Sequence, residues 1–367
     1  MRTVVISDVH LGTVSGRALM RLPGVRAALA ERLEGADHVV LLGDVLELRE
    51  APIADALDAA EPFFRELSAT AGDARFTLVP GNHDHGLASS LLEARRLEGA
   101  GAVLEPDRSE PAPGTGPVAR IADWLAGAEL TVAYPGLWLR EDVYATHGHY
   151  LDCHIALPTL ERLAIGATER LIGGPPAGAR TPDDYEAAGA PLYSLTYSLA
   201  QGSRRRLAGG GKSVAAWQRL SGSNGRRSIG SRVLGGLLFP GAVGALNRAG
   251  LGPFTSDLSG PSLRRSALAA MTSVAAALGV DGATVLFGHT HRSGPWPRDD
   301  EREWELPGGG RLVNTGSWIH EPALLGDPPR RENPYWPGTC VTIEGDEPPR
   351  LERVLDELPG WSTTTGT

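Results

Sequence analysis

The chain has 367 residues, 41% of them hydrophobic, and its formal net charge at pH 7 is -9. This length fits one α/β core with a large insertion, or two domains, and the hydrophobic fraction is sufficient for a substantial core. A general nucleic-acid-binding protein would normally present a basic surface, so the negative charge argues against that class. We therefore expect no nucleic-acid polymer as a partner.

The cysteine content and the pattern of apolar residues predict the cellular compartment of the protein. Two cysteines, Cys153 and Cys340, are too few for a disulfide framework and fit a reducing environment. The first ten residues, MRTVVISDVH, predict a strand rather than a signal peptide. The longest nearly apolar stretch, 233–246, contains glycines and a proline and is too short to cross a bilayer. We expect a soluble cytoplasmic protein.

Short valine-rich runs alternate with alanine- and leucine-rich helical stretches. The predicted buried strands lie at 3–7, 38–42, 76–79, 130–134, 143–146, 284–287, 311–316 and 340–343. Helices are predicted at roughly 24–34, 53–70 and 87–99, whereas the composition of 105–117 predicts a loop. This alternation is typical of an α/β sheet with helices packed on it.

The character of the chain changes between about 150 and 261. Strand-like runs disappear there, and helical stretches are separated by glycine-rich breaks. A helical stretch at 262–278 then leads back to the strand at 284–287. The predicted division is a core at 1–150 and 262–345, an inserted helical cap at 151–261, and a flexible tail at 346–367.

Five predicted strands in succession are followed by carboxylate, amide or imidazole side chains. Because the carboxyl ends of strands in an open α/β sheet share one edge, we expect these side chains to meet and form a site there. An alternative is that they are ordinary solvated loop residues. These side chains are Asp8, His10, Asp44, Asn82, His83, Asp84, His147, His149, His289 and His291, and seven of them are candidate metal ligands.

The residue types indicate the metal chemistry. Oxygen and nitrogen donors suit divalent manganese, iron or zinc, and we favour manganese. The set contains no cysteine, which argues against a structural zinc site. Seven ligands are too many for one ion but suit two ions that share a carboxylate. Two ions about 3.5–4 Å apart can activate a bridging hydroxide and stabilise an in-line phosphoryl displacement.

The motifs SDVH, GD, GNHD, HGH and GHTH, in this order, resemble those of the calcineurin-like metallophosphoesterases. The resemblance covers roughly 1–150 and 262–345. It implies an α/β fold, a four-layer α/β/β/α sandwich with the cap inserted. It also implies a metal-dependent hydrolase of phosphoric esters or diphosphates.

Roles follow from the resemblance position by position. The first ion would be held by Asp8, His10 and His291, and the second by Asn82, His147 and His289, with Asp44 bridging the two. His83 would stand beside the substrate phosphate as a catalytic residue, and Asp84 would orient it.

Within the superfamily, ISDVHLGT and the helical insertion resemble UDP-diacylglucosamine diphosphatases, in which the insertion covers lipid chains. This sequence departs from them in two ways. His83 stands where those enzymes often have an arginine, and the spacing 289 − 147 = 142 residues leaves room for a larger cap. We expect hydrolysis of a phosphodiester or diphosphate bond, on a lipid-linked or amphiphilic substrate, with peripheral membrane contact through the cap.

Residues beyond the ligands have more than one interpretation. His149 and Asp152 could bind substrate or support the metal ligands. Arg292 could contact a phosphate. The apolar segment 228–254, near arginines 204–206 and 226–227, could form a groove for a phosphorylated amphiphile.

Two alternative functions use the same motifs. A nucleotide phosphodiesterase or pyrophosphatase would need aromatic stacking, which Tyr185, Tyr193, Tyr197 and Trp217 could supply. A non-catalytic scaffold of the same fold is the second alternative, although all seven ligand positions are filled.

Overall fold

The structure is a computed structural model that describes residues 1–15, 17–99, 102–174, 180–202, 239–248, 252–257, 259–325 and 329–356. Trp217, the arginines at 204–206 and 226–227, and most of the segment 228–254 lie outside the described residues.

The strands of the described chain join into one ten-stranded mixed sheet. They are β1 (Arg2–Ile6), β2 (His38–Leu42), β3 (Arg75–Val79), β4 (Asp107–Pro111), β5 (Leu130–Arg140), β6 (Val143–Thr146), β7 (Thr284–Phe287), β8 (Arg311–Asn314), β9 (Thr339–Glu344) and β10 (Arg350–Arg353). Their spatial order is β10-β9-β1-β2-β3-β5-β6-β7-β8, and β4 pairs with β5.

The long strand β5 connects two halves of this sheet. Its first part pairs with β3 in parallel and with β4 in antiparallel orientation. From Gly136 onward it pairs instead with β6, which continues in parallel to β7 and β8. Because β5 changes partners along its length, the two halves can fold over each other as two sheets.

Alternating side chains fill three apolar clusters, which define the layers. On β1, Val4 and Ile6 pack in the cluster under the first set of helices, whereas Val5 packs in a cluster that also contains Leu286 and Val313 of the other half. Val285, one residue before Leu286, belongs to a third cluster on the opposite face. This period of two is what a strand covered on both faces requires. The predicted four-layer α/β/β/α sandwich is confirmed.

The helices of the described chain form the two outer layers and the insertion. They are α1 (Pro23–Leu33), α2 (Ile53–Ala71), α3 (Ser89–Leu97), α4 (Gly116–Trp124), α5 (Leu160–Ile172), α6 (Pro182–Gly202), α7 (Phe239–Arg248), α8 (Gly260–Ala277) and α9 (Pro322–Leu325). Helices α1, α2 and α4 contribute to the first cluster, and α8 to the third. Helix α8 begins after Ser259, whose hydroxyl accepts from Ser262 N, an N-cap that satisfies a free backbone donor.

Helices α5, α6 and α7 lie within the predicted insertion, and α5 packs against α6. Helix α6 is tied to the first half of the chain, because Ile53 N donates to Gln201 Oε1 at 2.8 Å. The boundaries of core and cap remain a prediction. None of the described helices is both long and apolar enough to cross a bilayer.

Two expectations for irregular segments are wrong. Residues 105–117 contain β4, which pairs with β5. The predicted flexible tail contains β10 and a 3-10 turn at Val354–Asp356, and Val354 and Leu355 are buried in the first cluster. Pairing with β9 supplies the backbone hydrogen bonds that the tail's composition does not reveal. Residues 357–367 lie outside the described part.

Candidate metal centre and active site

The predicted ligands meet at one edge of the sandwich, where their strands end. Three sets of side chains offer ligand atoms within 4.8 Å of one another. The sets are Asp8 with His10 and His291, His10 with Asp44 and His83, and Asp44 with His147 and His289. Asn82 joins them, because its Oδ1 lies 3.1 Å from His289 Nδ1. The structure therefore brings all seven candidates together.

Asp44 lies between the two groups of imidazoles. Its Oδ2 is 3.2 Å from His147 Nε2 on one side and 3.8 Å from His10 Nε2 on the other. His10 Nε2 in turn faces His291 Nε2 at 3.2 Å, and His291 Nε2 lies 3.3 Å from Asp8 Oδ1. One carboxylate between two ligand sets is the arrangement that a bridging role requires.

The backbone at these positions is unusual. Six non-glycine residues of the described chain have positive φ, and five of them are candidate ligands. They are Asp8, His10, Asp44, His289 and His291, with φ between 50° and 65°. This left-handed conformation is unfavourable for side-chain-bearing residues, and it persists where the surrounding structure holds a functional site.

Two glycines leave room for the ligands. A Cβ at Gly43 would collide with the ring of His147, and a Cβ at Gly288 would collide with Asp8 and Ser7. Gly43 also has a φ of +83°. The glycines in the motifs GD and GHTH are therefore needed for close approach.

Partners outside the cluster orient two of the imidazoles. His10 Nδ1 lies 3.2 Å from Glu47 Oε2, and His147 Nδ1 lies 3.0 Å from the carbonyl oxygen of Leu42. Each contact uses Nδ1 and leaves Nε2 facing Asp44. Such partners fix the tautomer and ring orientation of metal-binding histidines.

The electrostatics of the site favour positive charge. Burial lowers the pKa of His10, but hydrogen bonding to Glu47 and the nearby carboxylates raise it to about 9. Burial likewise opposes the charged form of His147, yet Asp44 above all raises its pKa to about 10. Asp8 Oδ1 is buried without a well-aligned hydrogen bond, although His291 Nε2 lies 3.3 Å away, a costly arrangement that a cation would relieve. These donors fit divalent metal ions.

The Asn82 amide is also suited to a metal ion. With its oxygen toward His289 and Asp44, it offers an oxygen ligand. Turned over, its nitrogen would donate to Asp44 Oδ2, and its oxygen would accept from Arg49 Nη1 at 3.0 Å. A cation beside Asp44 would favour the first orientation, because it would attract the amide oxygen.

The predicted role of Asp84 is wrong. Its carboxylate does not orient the His83 imidazole, because its two oxygens accept hydrogen bonds from the backbone amides of Gly81, Asp44, Val45 and Leu46. Asp84 therefore fastens the loop after β3 to the loop after β2. His83 is oriented instead by Glu47, whose Oε2 lies 2.7 Å from His83 Nδ1.

Two of the tentative substrate residues, His149 and Asp152, have partners within the protein. His149 is buried and lies outside the cleft lining, with Nε2 3.0 Å from the Tyr134 hydroxyl. Asp152 lines the cleft, and its Oδ2 lies 3.1 Å from His289 Nε2. Asp152 therefore orients His289 and leaves His289 Nδ1 toward Asn82.

Arg292 lines the cleft, but its guanidinium is engaged. Nη2 donates to Asp299 Oδ1 at 2.5 Å, and the guanidinium lies over the Trp304 ring. A phosphate would have to compete with Asp299 for this side chain.

Two residues near the cluster are absent from the sequence predictions. Burial would raise the pKa of the Glu47 carboxyl, but the charge on His83 and hydrogen bonds from both histidines hold it well below its usual range. Arg49 lines the cleft and pairs with Glu161 of α5 at 3.1 Å. In the sequence, only their charge and their position shortly after Asp44 point to them.

A cleft of about 590 Å³ opens over the cluster. Its polar floor includes Asp44, Asn82, His83, His289 and His291. Its walls are largely apolar and include Leu151, Ile155, Leu157, Leu199, Leu263 and Leu268.

Replacing Gly43 with alanine should weaken metal binding, because the new methyl group must displace the His147 ring. We expect at least about a tenfold loss of affinity at one site, the scale seen when ligand geometry is disturbed. Isothermal titration with Mn²⁺ measures this. Gly35→Ala is the control, since Gly35 also has a positive φ, +69°, but its Cβ would meet nothing within 4 Å. Wild-type affinity in Gly43→Ala would contradict the placement of His147.

Replacing Asp84 with asparagine should destabilise the fold, because an amide NH₂ would face backbone donors and leave at least one buried N–H unsatisfied. We expect the free energy of unfolding to fall by about 2–4 kcal/mol. Urea unfolding measures it, with Asp142→Asn as the control at an exposed carboxylate paired with Arg140. Equal stability of the two variants would contradict the fastening role.

Comparisons with known proteins agree with the site. Residues 1–171 match the family model for calcineurin-like phosphoesterases. A search of curated proteins found no match. Among solved structures, the chain is similar to a dimetal phosphatase from Danio rerio at 13% identity, covering 96% of this chain and 98% of that one, with a TM-score of 0.32, a value too low to carry an argument. The matched residues, 1–171, contain five of the seven candidate ligands.

Proposed function

We propose that this chain is a phosphoesterase that hydrolyses a phosphodiester or diphosphate bond of an amphiphilic substrate, with two divalent ions held by the seven converging ligands. Asp8, His10 and His291 would hold one ion, Asn82, His147 and His289 the other, and Asp44 both. Manganese is favoured, and iron or zinc would suit the same donors. A bound pair of ions supplies Lewis-acid activation of water and of the phosphoryl oxygens.

The chain's own residues would position and protonate the substrate. His83 stands at the floor of the cleft, with its Nδ1 engaged by Glu47. When the ring carries a second proton, on Nε2, it can pass that proton to the leaving oxygen, which keeps the electron pair of the breaking P–O bond, and His83 is left neutral with its hydrogen on Nδ1. General acid catalysis of this kind contributes roughly 10²–10⁴-fold.

The apolar wall of the cleft carries the substrate proposal. A phosphate group alone would need polar contacts, yet leucine and isoleucine side chains from the segment after His149, from α6 and from α8 border the cluster. Such a surface suits a hydrocarbon chain, with about 0.8 kcal/mol gained for each buried methylene. An amphiphile would place its tail along this wall and its phosphate over the ligands.

The subtype nearest in motif pattern is the UDP-diacylglucosamine diphosphatase, from which His83 departs. Peripheral contact of the cap with a membrane is supported by exposed Leu160, Leu171 and Ile172 on α5. A cytoplasmic location would fit the two free cysteines, Cys153 and Cys340.

The nucleotide alternative has less support. Tyr185 and Tyr193 are 1% and 4% exposed, so their ring faces are not open to stacking with a base. Tyr197 does not line the cleft, and Trp217 lies outside the described residues. A scaffold role is disfavoured because every ligand position is filled.

In the presence of Mn²⁺, the wild-type protein should hydrolyse long-chain phospho- or diphospho-lipids with a lower KM than short-chain analogues. The decrease can reach about fourfold per buried methylene, from about 0.8 kcal/mol each. Steady-state kinetics over a chain-length series, at concentrations below micelle formation, measures it. Leu199→Asp should flatten the dependence, because Leu199 lines the cleft.

Leu195→Asp is the matched control. Leu195 lies one turn before Leu199 on α6 with the same exposure, 56%, but does not line the cleft. It should leave the dependence unchanged. Equal KM values across the series, with faster hydrolysis of nucleotides, would refute the lipid proposal, and no hydrolysis with any divalent metal would refute the enzymatic one.

A further inference from the structure

Glu47 is a buried carboxylate, with a side chain 3% exposed, between a candidate metal ligand and the candidate catalytic histidine. A single oxygen, Oε2, lies 3.2 Å from His10 Nδ1 and 2.7 Å from His83 Nδ1. The other oxygen, Oε1, accepts from Arg49 N at 3.0 Å. Both oxygens are therefore fixed, and one of them serves two imidazoles.

This geometry determines how the two rings present their nitrogens. A carboxylate oxygen that faces several donors acts as an acceptor and has lone pairs for two of them. His10 and His83 must then both donate from Nδ1. The Nε2 of His10 is left toward Asp44, from which it lies 3.8 Å, and the Nε2 of His83 is left free of Glu47.

His83 is also held by its backbone and its ring face. Its backbone N donates to Asp44 Oδ1 at 2.8 Å. Its ring packs edge-on against the His10 ring, with centroids 4.7 Å apart. Glu47 thus completes a set of contacts that fixes the ring relative to the candidate ligands.

We infer that Glu47 is a positioning residue that sets the tautomer and orientation of both His10 and His83, so that one buried carboxylate aligns a metal ligand with the proton donor. The inference rests on the proposed function, because it needs His83 to act on a leaving group. Partners of this kind typically alter activity or metal affinity 10–100-fold when replaced.

The test compares Glu47→Gln with His83→Ala and wild type. Glu47→Gln keeps the size of the side chain but removes the charge that both imidazoles share. We expect kcat to fall about 10–100-fold on a substrate with a poor leaving group and much less on a p-nitrophenyl ester, with KM little changed. Elemental analysis should still find the wild-type metal content. Nitrogen-15 NMR of the zinc-loaded protein should show loss of the Nδ1–H tautomer at His83.

Glu186→Gln is the matched control. Glu186 is another buried carboxylate with histidine and tyrosine partners, His85, Tyr134 and Tyr150, but it does not line the cleft. It should lower thermal stability without changing the ratio of rates on the two leaving groups.

Two results would overturn the inference. An equal loss on both substrates, with the His83 tautomer unchanged, would make Glu47 purely structural. Loss of metal, with the dependence of the rate on the leaving group unchanged, would restrict the positioning role of Glu47 to His10. Absence of metal-dependent hydrolysis in the wild type would instead refute the proposed function, and the NMR measurement would still decide whether Glu47 sets the tautomer.

Discussion

The carboxylate of Asp44, fully buried between two sets of imidazoles, is the interaction on which the site depends. Burial opposes a charged carboxylate, but the His147 charge above all holds its pKa well below the usual value. The loop that carries Asp44 is fastened by Asp84, which accepts hydrogen bonds from backbone N–H groups of the loops after β2 and β3. The negative charge of the Asp44 carboxylate is thereby kept in a fixed position, where it can hold cations.

The sandwich explains how these groups converge. Strand β5 joins the two half-sheets, so that ligands following β1, β2 and β3 meet those following β6 and β7. The ligand positions adopt left-handed backbone, and Gly43 and Gly288 provide the space that the side chains need. Local strain at these residues is offset by the apolar clusters of the surrounding layers.

Much of this arrangement could be predicted from sequence. The eight valine-rich runs were sufficient for the core strands, because buried strands have a strong apolar signal. The ligands could be found because polar residues follow successive strands. Strand β4 contains charged residues and a proline, and the charged strand β10 directly follows two prolines. Both strands were missed because such composition is typical of loops, and backbone pairing at sheet edges leaves little trace in composition. The partner of His83 could not be assigned from sequence, because Glu47 and Asp84 are both acidic residues that closely follow a candidate ligand. Only the fold decides which of the two carboxylates faces the imidazole.

The proposed two-ion site is tested most directly by anomalous diffraction from crystals of the manganese-loaded protein. We expect two anomalous peaks about 3.5–4 Å apart, with Asp44 between them, Asp8, His10 and His291 around one, and Asn82, His147 and His289 around the other. A single peak in a protein that hydrolyses phosphoesters at its full rate would contradict it.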